Sequence, residues 1–500
     1  MDFIDGQWAD PAAPDGVLEN RSPADLSSVL SRHPWASSQV ERAVSAARAA
    51  QPAFAQRPAA ERARLVRAIG EVLEKREEEL ARAIALDVGK PLWEARTEAQ
   101  ASSAKAKITA DEGLKLVADF PAPGQAGAEC RFRPLGVVAV LGPFNFPVHL
   151  GNGHILPALA CGNAVIFKPS EIAPHAAEVY ARCLEEAGVP PGVFNLVQGG
   201  PAVGATLSAH RQIDGVLFTG SWAVGQAIQK ANLGQTKLLA LEMGGKNAAI
   251  VLPDADFDKA VYDLLFSAFV SAGQRCTAAS RAIVVGDARR FARRIAQLAA
   301  KLVVGHPLDD GVFMGPLASP AALEKFERGV AASGEEVVLA SRRLQPRGLH
   351  GCYVSPSVHF VETARETPYQ REELFGPDLA VTAAASEEEA LALANATNYG
   401  LAASVHTSSE AAFDRCQRAL DCGVVNWNAP TVGASGRLPF GGLKRSGNHR
   451  PAALWSTLYC AAPVAVLRGE PLLDRKKLAP GVVWEEPSAP GGKRDPPVDE

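Results

Sequence analysis

The feature that most constrains this chain is a series of short apolar segments that alternate with longer amphipathic ones. The segment 136–142, GlyValValAlaValLeuGly, contains no polar side chain, and mostly apolar segments follow it at 164–167, 194–197 and 215–218. Stretches with helical periodicity lie between and after them, at 173–187, 202–208 and 223–231. Short apolar runs are typical of strands buried on both faces. The alternation therefore predicts βαβ units in a doubly wound parallel sheet, which binds ligands at the carboxyl ends of its strands.

A second alternating set predicts a second α/β domain. It begins near 248–251 and extends to about residue 425, with strands at 281–285 and 379–382 and helices at 289–301 and 387–394. Further helices are predicted for 40–51, 59–86 and 92–116. We expect residues 1–120 and 138–243 to form the first domain and residues 244–430 to form the second.

Two remaining parts of the chain differ in composition from these domains. Residues 121–127 are rich in proline and glycine, and we expect 121–137 and 455–475 to form a small β flap. The segment from 485 to 500 is rich in proline and charge, which predicts a disordered tail.

Composition and charge exclude several classes of function. The chain is 47% hydrophobic and 21% charged, as in a soluble globular enzyme. Its net charge of −4 gives no reason to expect binding of nucleic acid, which calls for a concentrated basic patch. The uncharged stretch 134–167 is interrupted by prolines, asparagines and glycines, so no membrane span is predicted. The N-terminus lacks the pattern of a signal peptide, and eight scattered cysteines without a CxxC pair fit a cytoplasmic protein with no metal site.

Two residues have the chemistry of a covalent mechanism. Glu242 follows the apolar run 238–241 and precedes a glycine pair, and Cys276 follows an apolar segment and a turn. A thiolate can attack an electrophilic carbon, and a carboxylate can then activate water to release the product. Taken alone, a buried inert thiol and a solvated carboxylate remain the simpler interpretations.

Seven short motifs follow one another along the chain. They are ProPheAsnPhePro at 143–147, LysProSerGlu at 168–171, PheThrGlySer at 218–221, LeuGluMetGlyGlyLys at 241–246, PheValSerAlaGlyGlnArgCysThr at 269–277, GluLeuPheGlyPro at 373–377 and ProPheGlyGly at 439–442. Together, and in this order, they resemble the motifs of the aldehyde dehydrogenase superfamily. The resemblance implies two doubly wound α/β domains with a β flap that mediates oligomerisation, as a homodimer or a dimer of dimers. It implies that Cys276 is the nucleophile, that Glu242 is the general base, and that Asn145 donates to the oxyanion.

The resemblance also implies NAD as the cofactor. The residues that would bind it are Lys168, Ser170, Glu171, Gly220, Ser221, Gly225, Glu373 and Phe375. No GxGxxG follows a predicted strand, so the usual dinucleotide fingerprint is absent. A carboxylate at Glu171 can accept hydrogen bonds from a ribose 2′-hydroxyl and would repel a 2′-phosphate, which favours NAD over NADP.

Three segments, 146–158, 426–435 and 444–452, resemble the branch that oxidises N-succinylglutamate 5-semialdehyde in arginine breakdown. Such a substrate carries two carboxylates, and Arg275, His149, His449 and Arg450 are candidates to bind them, with Lys246 as an electrostatic contributor. Other semialdehydes, such as those of succinate and glutamate, and a broad aldehyde specificity are alternatives. Glu242 argues against a CoA-acylating enzyme, which needs no water-activating carboxylate. A catalytically silent homologue would lack Cys276, Glu242 or Asn145.

Overall fold

The first set of apolar segments forms a seven-stranded sheet in the computed structural model, which describes residues 1–484. Five neighbouring strands run parallel, and the two strands at one edge each pair antiparallel with their neighbours. In spatial order the strands are Leu238–Met243, Gly215–Gly220, Val137–Leu141, Ala164–Lys168, Phe194–Leu196, Asp2–Ile4 and Gln7–Ala9. The central strands Val137–Leu141 and Ala164–Lys168 are buried along their whole length, as their lack of alternation predicts.

Eight α-helices lie between residues 39 and 231, in the part of the chain that contains most strands of this sheet. They are Gln39–Ala55, Ala59–Lys75, Glu77–Val88, Leu92–Asp111, His149–Ala160, Pro174–Glu186, Pro201–Ala209 and Trp222–Ala231. The single helix predicted for 59–86 was wrong, because Arg76 leaves the helical conformation (φ −102°, ψ 21°) and divides it in two. Both halves pack against Leu92–Asp111 and against Pro174–Glu186.

The second alternating set forms another seven-stranded sheet. In spatial order its strands are Glu336–Leu339, Ser357–Val361, Asp378–Ala384, Ala279–Val285, Asn247–Val251, Ala402–His406 and Val424–Trp427. All neighbours are parallel except the first pair. Its helices are Phe257–Phe269, Ala288–Ala299, Pro320–Ala331, Pro368–Arg371, Glu387–Asn395 and Glu410–Ala419.

Smaller sheets complete the described chain. Gly16–Arg21 pairs with Val29–Trp35, Tyr399–Gly400 with Leu443–Lys444, and Pro439–Phe440 with Ala452–Ala453. A three-stranded sheet joins Ala461–Leu467, Ala128–Pro134 and Phe120–Pro121. The predicted fold class, two doubly wound sheets and a small β element, is therefore confirmed.

The chain divides into two compact units. One comprises residues 1–118 and 132–462 and contains both seven-stranded sheets. The other comprises residues 119–131 and the chain from 463 onward. The boundaries predicted at residues 243 and 430 stay predictions, although the chain does pass from one large sheet to the other between Met243 and Asn247. The tail predicted to be disordered, 485–500, lies outside the described residues.

Within residues 1–484, none of the helices combines the length and the apolar character that crossing a bilayer requires.

Candidate active site

A cavity of about 710 Å³ in the larger unit opens at the carboxyl ends of the first sheet's strands. Its wall includes Asn145, Glu242, Cys276 and Glu373, which come from four separate parts of the chain. The volume lies within the roughly 300–1,000 Å³ that ligand sites commonly have. The structure thus brings the three predicted catalytic side chains to one cavity, together with most of the predicted cofactor residues.

Glu242 is next to last in the edge strand Leu238–Met243 of the first sheet. Glu242 is only 1% exposed, and among residues 1–484 neither oxygen of its carboxylate has a hydrogen-bond partner. Burial raises the pKa of Glu242 well above its ordinary value, while the charge of Arg450 acts in the opposite direction. A buried carboxylate that nothing bonds is costly for the fold, which points to a functional reason for keeping it.

A segment from the C-terminal part of the unit fixes the backbone around Glu242. The Asn448 side chain accepts from the Leu241 amide at 2.8 Å and donates to the Leu239 carbonyl at 2.9 Å. Gly447 forms an antiparallel bridge with Glu242. The main chain of the strand is therefore held on both sides, although the Glu242 carboxylate has no bond of its own. The sequence motifs did not identify this role of Asn448.

The loop that carries Cys276 is strained and braced. Ser271 and Ala272 have backbone φ angles of 55° and 53°, values that residues other than glycine seldom adopt. The Glu94 carboxylate, 1% exposed on the helix Leu92–Asp111, accepts from the Ser271 amide at 3.2 Å and from its hydroxyl. Arg275 donates to the same carboxylate at 2.6 Å. This buried network holds the conformation of the loop just before the thiol.

Asn247 anchors the loop on the other side of the thiol. Its side-chain amide donates to the carbonyls of Cys276 and Ala278, at 2.7 and 2.9 Å, and its oxygen accepts from the Ala402 amide at 3.0 Å. Neither Asn247 nor Glu94 was identified from the sequence. The one signal in the sequence that could have identified Asn247 is its position as a polar residue at the start of an apolar strand.

Asn145 lies after the central strand Val137–Leu141 and before the helix His149–Ala160. Its side-chain nitrogen donates to the Gln274 carbonyl at 2.9 Å, two residues before Cys276. An amide nitrogen has two hydrogens, so one donor remains for a ligand in the cavity. Glu98, in a buried ion pair with Lys90, accepts from the Val148 amide at 3.0 Å and fixes the start of that helix.

The residues predicted to bind the ribose side of the cofactor lie together at one end of the cavity. Lys168 ends the strand Ala164–Lys168, and Ser170 and Glu171 follow it directly. The Lys168 ammonium lies 3.2 Å from the Glu171 carboxylate, and burial lowers the pKa of Lys168. Glu171 is itself partly exposed, so its carboxylate remains accessible to a ligand.

The predicted phosphate loop is the turn into the helix Trp222–Ala231. Gly220 and Ser221 line the cavity, and the Ser221 hydroxyl caps the helix by accepting from the Val224 amide at 3.4 Å. Gly225 is not among the lining residues. A Cβ there would collide with the Met243 sulfur, so packing of the helix against the strand explains this glycine.

Glu373 and Phe375 lie beside the glycine pair that follows Glu242. Glu373 accepts from the Gly245 amide at 3.0 Å, and a Cβ at Gly244 would collide with its carboxylate. Burial raises the pKa of Glu373 to about 7. Phe375 has a φ of 58°, and its ring meets that of Phe144 edge-on at 5.8 Å. Both residues line the cavity.

Several candidates from the sequence lie outside the cavity wall. Lys246 is buried and donates to the Tyr369 carbonyl at 2.8 Å, which directs its charge elsewhere. The charge of Arg275 is compensated by Glu94, so this arginine is not a free cation for a substrate carboxylate. Burial lowers the pKa of His149 to about 4, and His449 is exposed. Arg450 acts electrostatically on Glu242.

Comparison with known proteins identifies the class. The sequence profile of the aldehyde dehydrogenase family matches residues 8–462, and the chain belongs to this family. It is 45% identical over 496 residues to a protein named N-succinylglutamate 5-semialdehyde dehydrogenase from Chromobacterium violaceum, in an alignment that covers 96% of this chain and 99% of that one. The predicted class, an aldehyde-oxidising dehydrogenase, is thereby confirmed.

Solved structures agree with the fold. Betaine aldehyde dehydrogenase from Staphylococcus aureus, in complex with NAD+, superimposes with a TM-score of 0.90 at 29% identity, over 96% of each chain. A mutant of aldehyde dehydrogenase C from Pseudomonas syringae, in complex with NAD+ and octanal, superimposes with a TM-score of 0.88 at 33% identity, over 93% of this chain and 96% of that one.

Proposed function

We propose that the protein oxidises N-succinylglutamate 5-semialdehyde to N-succinylglutamate with NAD+ as acceptor, in arginine breakdown. The observation that carries the chemistry is the single cavity shared by Cys276, Glu242 and Asn145. The substrate follows from the name of the relative that is 45% identical over 96% of this chain. Dehydrogenation of another semialdehyde, or a broad aldehyde specificity, is the alternative.

Cys276 attacks the aldehyde carbon and forms a thiohemiacetal. Burial raises the pKa of the Cys276 thiol, the Glu242 and Glu373 carboxylates raise it further, and Arg275 acts against them. The thiol therefore has to release its proton to water before the sulfur attacks. The oxygen of the former aldehyde becomes an oxyanion.

Asn145 stabilises that oxyanion. The Gln274 carbonyl takes one hydrogen of its side-chain amide and orients the group, which leaves the second hydrogen for the substrate oxygen. A preorganised donor of this kind contributes about 3–4 kcal/mol to the stability of the transition state. The Cys276 amide is the second donor that we expect.

Glu242 completes the reaction by removing a proton from the water that hydrolyses the thioester. The water oxygen bonds to the acyl carbon, the bond from carbon to the Cys276 sulfur breaks, and the acid is released. Because burial raises its pKa, Glu242 is a stronger base than an exposed carboxylate. Its oxygens have no other hydrogen bond within residues 1–484 that would have to be broken first.

The cavity suits a nicotinamide dinucleotide, which accepts the hydride of the substrate when it is bound. Lys168, Ser170 and Glu171 would hold the adenosine ribose, and Gly220 and Ser221 the phosphates. Glu373 would hold the second ribose, with Phe375 packed beside the nicotinamide. The partly exposed Glu171 carboxylate suits a 2′-hydroxyl and disfavours a 2′-phosphate, which supports NAD over NADP.

We infer further that the protein acts in the cytoplasm as a homodimer or a dimer of dimers. All eight cysteines are free thiols, as expected in a reducing compartment. The smaller unit exposes large apolar side chains, including Phe120, Leu467, Leu472 and Leu473. Exposed apolar surface commonly marks a protein interface, and these side chains support an oligomerising role for the flap.

A panel of aldehydes tests the substrate. N-succinylglutamate 5-semialdehyde, succinate semialdehyde, glutamate semialdehyde and a simple aliphatic aldehyde would each be assayed with NAD and with NADP, by NADH or NADPH absorbance. We expect the highest kcat/KM for the succinylated substrate with NAD. Equal values for the aliphatic aldehyde would overturn the substrate assignment but leave the class intact, and a preference for NADP would overturn the role given to Glu171.

A further inference from the structure

Glu242 has a polar neighbour on the adjoining strand. Thr219 pairs with it in register between the parallel strands Gly215–Gly220 and Leu238–Met243. Paired residues of neighbouring strands project from the same face of a sheet, with the strands about 4.8 Å apart. Both residues line the cavity, yet no hydrogen bond joins their side chains.

The Thr219 hydroxyl belongs to a buried hydrogen-bonded chain. It lies 3.1 Å from Nε2 of His154, whose Nδ1 lies 2.7 Å from the Tyr459 hydroxyl. The Tyr459 hydroxyl donates to the Pro451 carbonyl at 2.8 Å. Thr219, His154 and Tyr459 are all at least nine-tenths buried. Glu242 lies beside this chain, because it pairs in register with Thr219 and both residues line the same cavity.

The chemistry of these groups fixes the direction of every hydrogen bond. A carbonyl only accepts, so the single hydroxyl proton of Tyr459 is committed to Pro451. His154 must then donate from Nδ1. Burial and the charge of Lys105 lower the pKa of His154 to about 3, so the ring is neutral and Nε2 carries a lone pair. Thr219 therefore donates its proton to Nε2, and its oxygen presents only lone pairs to the cavity.

We propose that Thr219, His154 and Tyr459 are positioning residues that receive Glu242 in its protonated form. The lone pairs of the Thr219 oxygen can accept a hydrogen bond from a neutral carboxyl group, whereas they offer nothing to a carboxylate. After Glu242 has taken the proton of the hydrolytic water, its O–H has a prepared acceptor. This inference rests on the role of Glu242 in the proposed function.

The other groups that face Glu242 act on its charge in known directions. Among residues 1–484, Arg450 is the cation whose charge lowers the pKa of Glu242, and the Cys276 thiol lies in the same cavity. His154 is neutral, and burial keeps Tyr459 protonated by raising its pKa. The array therefore adds to burial, since it favours the neutral form of Glu242 and raises its pKa.

Removal of the Tyr459 hydroxyl should reverse the array. In Tyr459→Phe, Nδ1 of His154 loses its acceptor, and the ring proton can move to Nε2 and donate to the Thr219 oxygen. The Thr219 proton is then free to donate to the Glu242 carboxylate, which stabilises the charged form. We expect the pKa of Glu242 to fall by about one pH unit or more.

Infrared difference spectroscopy measures this shift directly. The carbonyl band of neutral Glu242, identified by its loss in Glu242→Gln, would be titrated with pH in the wild type and in Tyr459→Phe. Tyr180→Phe is the matched control, because it also removes a buried tyrosine hydroxyl, one that donates at 2.9 Å to Asn152 on the same helix as His154. An unchanged or raised midpoint in Tyr459→Phe, with the control equal to the wild type, would overturn the inference.

A second measurement does not depend on Tyr459→Phe folding. Nitrogen-15 spectra of histidine-labelled wild-type protein, with His154 assigned by its loss in His154→Gln, report which ring nitrogen carries the proton. We expect protonated Nδ1 and bare Nε2, and the opposite tautomer would overturn the inference. The proposed function is judged separately, by the burst of NADH in the first turnover, because hydride transfer precedes the step that Glu242 serves.

Discussion

The two reacting groups of the cavity are held in opposite ways. The loop of Cys276 is braced from both sides by the buried side chains of Glu94 and Asn247, which satisfy its backbone. The Glu242 carboxylate has no hydrogen bond within the described part of the chain, although its backbone is fixed. A nucleophile must keep its position to meet the carbonyl, whereas a base must be free to change protonation state and approach water. The difference in bonding thus follows the difference in task.

Loss of the nucleophile should have the largest effect. Cys276→Ala removes the only group in the cavity that we expect to form the covalent bond, so NADH production should fall by about 10⁴-fold or more. Stopped-flow and steady-state measurements of NADH absorbance would record this loss. The other seven cysteines provide matched controls, and Cys352→Ala, in the second sheet's core, should leave turnover unchanged. Persistent turnover in Cys276→Ala would contradict the covalent mechanism.

Loss of the base should separate the two steps. In Glu242→Gln the first-turnover burst of NADH should remain, while steady-state turnover falls by about 10²–10⁴-fold because the thioester is hydrolysed slowly. The wild-type rate should rise with pH through the raised pKa of Glu242, since only its carboxylate accepts a proton, and this dependence should vanish in the variant. A variant with neither burst nor turnover would show that Glu242 is needed before hydride transfer.

Loss of the brace should have the smallest effect. Glu94→Gln keeps the shape of the side chain but leaves Arg275 without its buried counter-charge, which should lower the free energy of unfolding by about 2–4 kcal/mol. Displacement of the loop should slow the burst by about 10- to 100-fold. Denaturant unfolding and stopped-flow absorbance would measure these effects.

The control for the brace is Glu78→Gln. Glu78 also pairs with arginine, Arg96, but both side chains are largely exposed, so its removal should change stability by less than about 0.5 kcal/mol. Equal effects of Glu78→Gln and Glu94→Gln would mean that the brace does not hold the loop.

The sequence was a good guide where chemistry and periodicity coincide. Buried parallel strands have a recognisable apolar pattern, and the motifs around Glu242 and Cys276 sit where those strands end, so both sheets and the main cavity could be predicted. Glu94, Asn247 and Asn448 could not, because each acts through partners far along the chain. The contact of Glu94 with Ser271 spans 177 positions, and nothing local in an amphipathic helix distinguishes a glutamate that is buried from one that is solvated.

Electrostatic roles were the least predictable from the sequence. Arg275 and Lys246 looked like free cations, yet one is neutralised by Glu94 and the other donates to the Tyr369 carbonyl. A formal charge in a sequence does not state which counter-charge meets it after folding. The hydrogen-bonded chain of Thr219, His154 and Tyr459 was also not predicted, because its members lie far apart in the sequence, on a strand, a helix and a C-terminal turn.

The segment around Asn448 has a consequence for behaviour in concentrated solution. The strand Leu238–Met243 lies at the margin of its sheet, where unpaired amides and carbonyls would invite a foreign strand to add. Asn448 and Gly447 occupy those groups instead. The edge strand that carries Glu242 is therefore shielded from pairing with a strand of another molecule, which would lead to aggregation. A chain that ended before the segment around Asn448 would leave this strand exposed.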